Sequence, residues 1–284
     1  MQQIARGIYY EDGYPGVTLG VLVFPHGTIL IDAPLRAEDA RAWRSAVNNI
    51  SLGSNRILVN LDAHLDRTIG ARALDCTIVA HQKAAQVFRN RPSIFKGQGT
   101  DSGAEWEVSN DVFGTRWAIP DITFSNRMFF YWGGPEVILE HRPGPSLGSI
   151  WVIIPALKVV FVGDTIITDQ PPFLASADLP AWIESLEALQ SAYKDYAIIG
   201  GRGGPNGIDT VKMQLRVIKK ILRGLERLAS RNAPPEATEG LIPGLLTDLN
   251  VSSRRRDHYV QRLRHGLYYY YSRHYRPLDS IDQG

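Results

Sequence analysis

The sequence predicts an α/β fold: a strand-rich body with helices on its outer faces, followed by a helical C-terminal extension. Three observations predict it. Short apolar runs bounded by Gly, Pro and Asp recur through the first two hundred residues or so. Two longer segments among them carry apolar residues at helical spacing. After "GGPNG" the pattern turns helical and stays so.

Taken in order, "GVTLGVLVFP" and "GTILID" read as a strand pair turning at His26-Gly27, with His26 solvated. "RAEDARAWRSAVNNI" reads as a helix with Ala40, Trp43 and Val47 on one side. "SNRILVNL" and "CTIVAH" are strands, the second followed by the short helix "QKAAQVFRN". Residues 91–120 are rich in Gly, Ser and Asp without periodicity, and read as a long loop over a site or an interface. "MFFYW", "EVILE", "SIWVIIP" and "KVVFVGD" follow as strands. "DLPAWIESLEALQSAY" is a helix capped by Asp178, with Trp182, Leu186, Leu189 and Tyr193 on one face. "DYAIIGG" is the last strand. The helices beyond it run through 209–230, 234–250 and 252–275, so the chain divides into a body, 1–205, and an extension, 206–284, packed on it.

Length and composition narrow the function classes. At 284 residues, with 44% hydrophobic and 21% charged residues, the chain has ordinary soluble composition. A formal net charge of +2 does not by itself imply a nucleic-acid partner. The single cysteine, Cys76, excludes a disulfide framework within the chain and a thiolate zinc site, and its apolar context reads as a buried small hydrophobe. The start lacks a signal-peptide pattern and no apolar run could span a bilayer, so a cytoplasmic setting and no membrane partner are expected.

Four polar segments follow apolar runs: "NLDAHLDR", "EHRPGPSLGS", "GDT" and "GGRGGP". Strand ends are where a sheet presents chemistry. If the four converge, the carboxylates of Asp62, Asp66 and Asp164 meet the guanidiniums of Arg67 and Arg202. Unrelated surface turns are the alternative.

These residues, in this order, resemble the metallo-beta-lactamase fold superfamily across roughly residues 4–205, starting from the early "ILIDAP" strand. The resemblance implies a four-layer αββα sandwich. It also implies a dinuclear metal site built from His-x-His-x-Asp-His, a histidine after Pro-Gly, the Asp of "GDT" and the His of Gly-His-Gly. Here Asp62 stands at the first histidine, His64 and Asp66 match, and Arg67 replaces the next histidine. Pro145 replaces the histidine after "PG", with Ser146 following in place of threonine. Asp164 matches, and Arg202 replaces the last histidine.

Proline has no side-chain donor and arginine has no lone pair to give. Arg67 and Arg202 beside Asp66 and Asp164 would neutralise the second metal position with bidentate pairs and repel a divalent ion there. At the first position Asp62, His64 and Asp164 remain a candidate metal set, for one zinc, manganese or iron ion. With a metal, Asp66 and Asp164 could direct an activated water, and Arg67 or Arg202 could hold an anionic substrate group or an oxyanion.

The first reading is therefore a superfamily member with a degenerate site and no dinuclear zinc centre or conventional hydrolase activity. The second is a mononuclear hydrolase acting on an ester, thioester, lactone or phosphoester. The third is a nucleic-acid-associated protein using the C-terminal helix. Residues 254–276 hold seven arginines and six tyrosines, including "YYYY". There, Leu263, Leu267 and Tyr270 or Tyr271 at helical spacing favour packing, with the arginines solvated and a homo-oligomer interface, over nucleic acid. A small-molecule partner with an anionic group fits either of the first two readings. His81 and His141 are weaker site candidates, His81 as a strand-end residue and His141 as an offset ligand.

Overall fold

The computed structural model describes residues 1–276 apart from 52, 54, 98–101, 250 and 252. Thirteen strands among the described residues form two mixed sheets. The first holds β1 (Gln2–Ala5), β2 (Ile8–Glu11), β3 (Leu19–Phe24), β4 (Gly27–Ile31), β5 (Arg56–Val59), β6 (Thr77–His81) and β7 (Ile122–Phe124) in sequential order. Its first four strands are antiparallel and the later pairings are parallel. The second holds β8 (Arg127–Phe130), β9 (Val137–His141), β10 (Ile150–Ile154), β11 (Val159–Ile167), β12 (Ala197–Arg202) and β13 (Pro205–Asn206). Only β11 and β12 pair in parallel there.

Both sheets are covered on both faces, and the side-chain alternation shows how. Ile29 and Ile31 of β4 face β11's Val159 and Phe161 in the core between the sheets. The intervening Leu30 joins Trp43 on the outside of the first sheet, and Val160 and Val162 join Trp182 on the outside of the second. With side chains alternating at period two, a strand buried on both faces must be apolar throughout, as "TILI" and "VVFV" are. Helix α1 (Ala37–Asn48) buries Ala40, Trp43 and Val47 against the first sheet, and α2 (Gln82–Arg89) buries Ala84, Ala85 and Phe88. Helix α3 (Leu179–Ser191) covers the second sheet. Its Asp178 cap accepts a hydrogen bond from the Ala181 N–H at 3.0 Å, satisfying one free donor of the first turn.

Beyond β13 the extension is helical: α4 (Ile208–Ser230), α5 (Ile242–Asp248) and α6 (Arg256–Tyr275). Leu263, Leu267, Tyr270 and Tyr271 pack into the same core as α3 and α4. No helix among the described residues is long and apolar enough to cross a membrane.

Two sequence expectations are corrected, and three strands were not foreseen. Strands β1, β2 and β7 do not stand out as runs, because each has only three or four residues and exposed or half-buried positions. Cys76 is half-buried at the edge of a core rather than within it, and burial pushes its thiol up to about 11. Not all arginines of α6 are solvated: Arg262 is 1% exposed.

Candidate functional site: an aspartate–arginine cluster

The site lies where β4, β5, β11 and β12 deliver their C-terminal ends. The turn after β5 carries Asp62, His64, Asp66 and Arg67. Asp164 lies within β11 and Arg202 ends β12. The expected convergence is observed, and it is tight. Arg67 is fully buried and touches three carboxylates. Its Nη1 is 3.2 Å from Asp32, its Nε 3.4 Å from Asp62, and its Nη2 donates to Asp164. Arg202 donates from Nη1 to Asp66 at 2.8 Å and from Nε to Asp164 at 3.3 Å. Asp66 is saturated, because it also accepts the backbone N–H groups of Glu105 (3.2 Å) and Trp106 (2.9 Å). The long irregular segment therefore closes over the site and contributes two donors to it.

Glycine makes this approach feasible. A Cβ at Gly201 would lie 2.5 Å from Asp164 Oδ1, so the residue before Arg202 has to lack one. Gly163, at φ +56°, bends β11 next to Arg67.

Electrostatics follow from burial. Burial works against the charges of Asp66 and Asp164, but Arg202, joined by Arg67 at Asp164, outweighs it and holds both below the usual carboxylate range. Asp32 is the exception. Burial dominates over Arg67, Asp62 and Asp164 add repulsion, and its carboxyl is pushed up to about 7. Burial also depresses His64 to about 4, so its ring is neutral at ordinary pH.

His64 settles how well this set fits a metal. Its Nδ1 accepts the Asp66 N–H at 3.2 Å and lies 3.2 Å from Arg202 Nη2, which is always a donor. A neutral imidazole with Nδ1 as acceptor carries its proton on Nε2, so neither nitrogen offers a free lone pair. Asp62 Oδ1 accepts the His64 N–H at 2.7 Å, and Asp164 faces two guanidiniums. Among the described residues no group of three or more His, Cys, Asp or Glu is placed to hold a metal ion. The dinuclear centre implied by the resemblance does not fit these residues.

The remaining candidates fall outside the cluster. His81 and His141 stack on each other with ring centroids 3.8 Å apart. Their Nε2 atoms meet the carbonyls of Ser125 and Leu147, and His81 also caps α2. His26 is exposed. Pro145 and Ser146 border the cavity in front of the cluster, and the Ser146 hydroxyl bonds that of Ser149 at 2.9 Å. Sequence reasoning missed Asp32, Phe173 and Arg262. Asp32 had a signal, an acid directly after a buried strand. Phe173 had none: its ring lies 4.4 Å from that of His64, with the Arg202 and Arg262 guanidiniums 4.7 and 4.0 Å from its centroid.

The model of the metallo-beta-lactamase superfamily matches residues 63–202. No curated protein matches the sequence. Among solved structures, a metallo-beta-lactamase from Pontibacter korlensis shares 17% identity at a TM-score of 0.61, covering 77% of this chain and 97% of that one. The stereoselective inverting sec-alkylsulfatase Pisa1 from Pseudomonas sp. shares 14% identity at a TM-score of 0.65. It covers 98% of this chain, which matches 50% of the alkylsulfatase. These identities speak for the fold alone. The chain has a metallo-beta-lactamase superfamily fold, and it carries a degenerate site without an intact metal-binding cluster among the described residues.

Proposed function

We propose that this protein works without the dinuclear centre, as a ligand-binding superfamily member and not as a conventional zinc hydrolase. The observation that carries the reading is the pair of guanidiniums, Arg67 and Arg202, seated among Asp32, Asp62, Asp66 and Asp164. They supply the positive charge that clustered carboxylates require. The mononuclear alternative at Asp62, His64 and Asp164 has less support. Ligation by His64 would first have to break its hydrogen bond from Asp66 and turn its proton toward two donors. The catalytic roles considered for Asp66, Asp164, Arg67 and Arg202 give way to a structural one, since each is almost fully buried and paired.

The cavity in front of the cluster supports a small-molecule ligand with an anionic group, because Lys83, Arg91, Arg262 and Arg273 all border it. Tyr268 and Tyr269, 37% and 50% exposed on α6, suit a homo-oligomer contact better than nucleic acid. The composition supports a cytoplasmic setting.

Metal analysis of protein purified without chelator tests the reading. Substoichiometric metal and a melting temperature unmoved by EDTA are expected. One stoichiometric ion lost together with stability would overturn it. The double variant Arg67→His/Arg202→His places two imidazoles beside Asp66 and Asp164, and should gain zinc binding by calorimetry that the wild type lacks.

A further inference from the structure

The cavity encloses about 660 Å³, the size of a small-molecule site. Two acids border it, Asp62 and Asp164, and both are engaged by Arg67. The cations on its walls are less well served. Arg91 Nη1 and Arg262 Nη2 are buried nitrogens with no hydrogen-bond partner. Arg262 is anchored on its other side: Nε donates to the Gly103 carbonyl at 2.8 Å, and Nη1 to Gln170 Oε1 at 2.7 Å and the Pro171 carbonyl at 3.2 Å. The nearest acid to Nη2 is Glu105 at 3.9 Å, beyond hydrogen-bond reach and already held through both oxygens by Arg255. A buried charged donor left without a hydrogen bond is costly, and a rigidly held one is pre-organised for an acceptor from outside the chain. Burial, joined at Arg262 by repulsion from Arg202, lowers both Arg91 and Arg262 to about 10.

The rest of the lining defines the ligand. Trp106, Phe173 and Leu174 line the interior, while Val87 and Leu147 stand 44% and 52% exposed at the rim. The aspartates behind the cavity disfavour a dianion, and a planar guanidinium matches a planar carboxylate. We infer that this cavity binds a small amphipathic carboxylate, its carboxylate group received by Arg262 and its hydrocarbon part lying along Trp106, Phe173 and Leu174. The inference rests on the cavity being a ligand site, as proposed above, but not on the state of the metal position. Metal content and ligand titration therefore fail separately.

Calorimetric titration of the full-length protein with octanoate tests it, with octan-1-ol and acetate run alongside. One octanoate per chain is expected, with octanol and acetate each weaker by about tenfold or more. Arg262→Gln should weaken octanoate by about tenfold and leave octanol unchanged. If circular dichroism shows that this variant does not fold, Lys83→Glu replaces it. Lys83 is exposed on α2, so charge reversal there spares the core while opposing the carboxylate, and octanoate should again weaken. Octanol or acetate binding as tightly as octanoate, no octanoate binding, or unchanged octanoate affinity in the folded variant would each overturn the inference.

Discussion

Arg67 touches Asp32, Asp62 and Asp164, so Arg67→Met would leave three buried carboxylates without their shared cation. The expected loss is about 3–5 kcal/mol, measured by urea denaturation. A loss under about 1 kcal/mol would mean that the acids are neutralised in another way. Asp32 allows a pH test. Its folded carboxyl titrates at about 7, and its unfolded one near 4. Across that window the folded chain keeps a proton that the unfolded chain has lost. The stabilising contribution is therefore complete below the unfolded value and disappears as pH rises through the folded one. Asp32→Asn removes this dependence, so the stability of the variant relative to wild type should climb between about pH 4 and 7. His64, depressed to about 4 by burial, acts the other way, losing stability as pH falls below its unfolded value near 6.5. It is present in both proteins and drops out of the difference. A flat difference would show that Asp32 ionises normally in the cluster.

At the scale of elements, α6 meets the irregular segment where Gly103 has φ +66° and a Cβ would lie 2.7 Å from Arg262 Cβ and 2.9 Å from the His258 carbonyl. Gly103→Ala should cost about 1–3 kcal/mol in thermal or urea unfolding, and an unchanged stability would show that the two elements separate freely. Elements with strong local signals were legible in the sequence: the doubly apolar "VVFV" of β11, the Asp178 cap of α3, and the single apolar face of α4. Short edge strands such as β1 and β7 were not, because their pairing comes from neighbours distant in sequence. The site divides in the same way. Asp62, His64, Asp66 and Arg67 announce themselves by spacing within one turn, and Arg202 by its glycines. That Arg67 reaches back to Asp32 depends on β4 and β5 pairing in parallel, and that Arg262 is buried depends on where α6 docks. Helical periodicity gives a face for α6 but not the loop and the Phe173 ring that this face meets.

For the whole molecule, the cluster joins parts made far apart in the chain. Asp32, Asp62, Asp66 and Arg67 come with the first sheet, Asp164 and Arg202 with the second, and Arg262 arrives from the extension. The extension is not an appendage in energetic terms. Leu263, Leu267, Tyr270 and Tyr271 are buried in the core over the second sheet. Burying each large apolar side chain contributes about 1.5–3 kcal/mol, so four of them rival the ~5–15 kcal/mol net stability of a domain. A chain ending before Arg256 should lose its cooperative near-ultraviolet transition and bind a hydrophobic dye. A truncated chain that melts cooperatively at the wild-type temperature would contradict this.

Zinc in a protein is a borrowed charge, taken up from a cellular pool and surrendered to any stronger chelator. A guanidinium at the same place is inherited with the polypeptide. It arrives as each ribosome finishes, carries its charge across the physiological pH range, and cannot be exchanged for a competing ion. On the metal-free reading proposed above, the pairing of Arg67 and Arg202 with Asp66 and Asp164 makes assembly of this centre independent of nutrient supply. A cell starved of transition metals should accumulate the protein to the same level as a replete one.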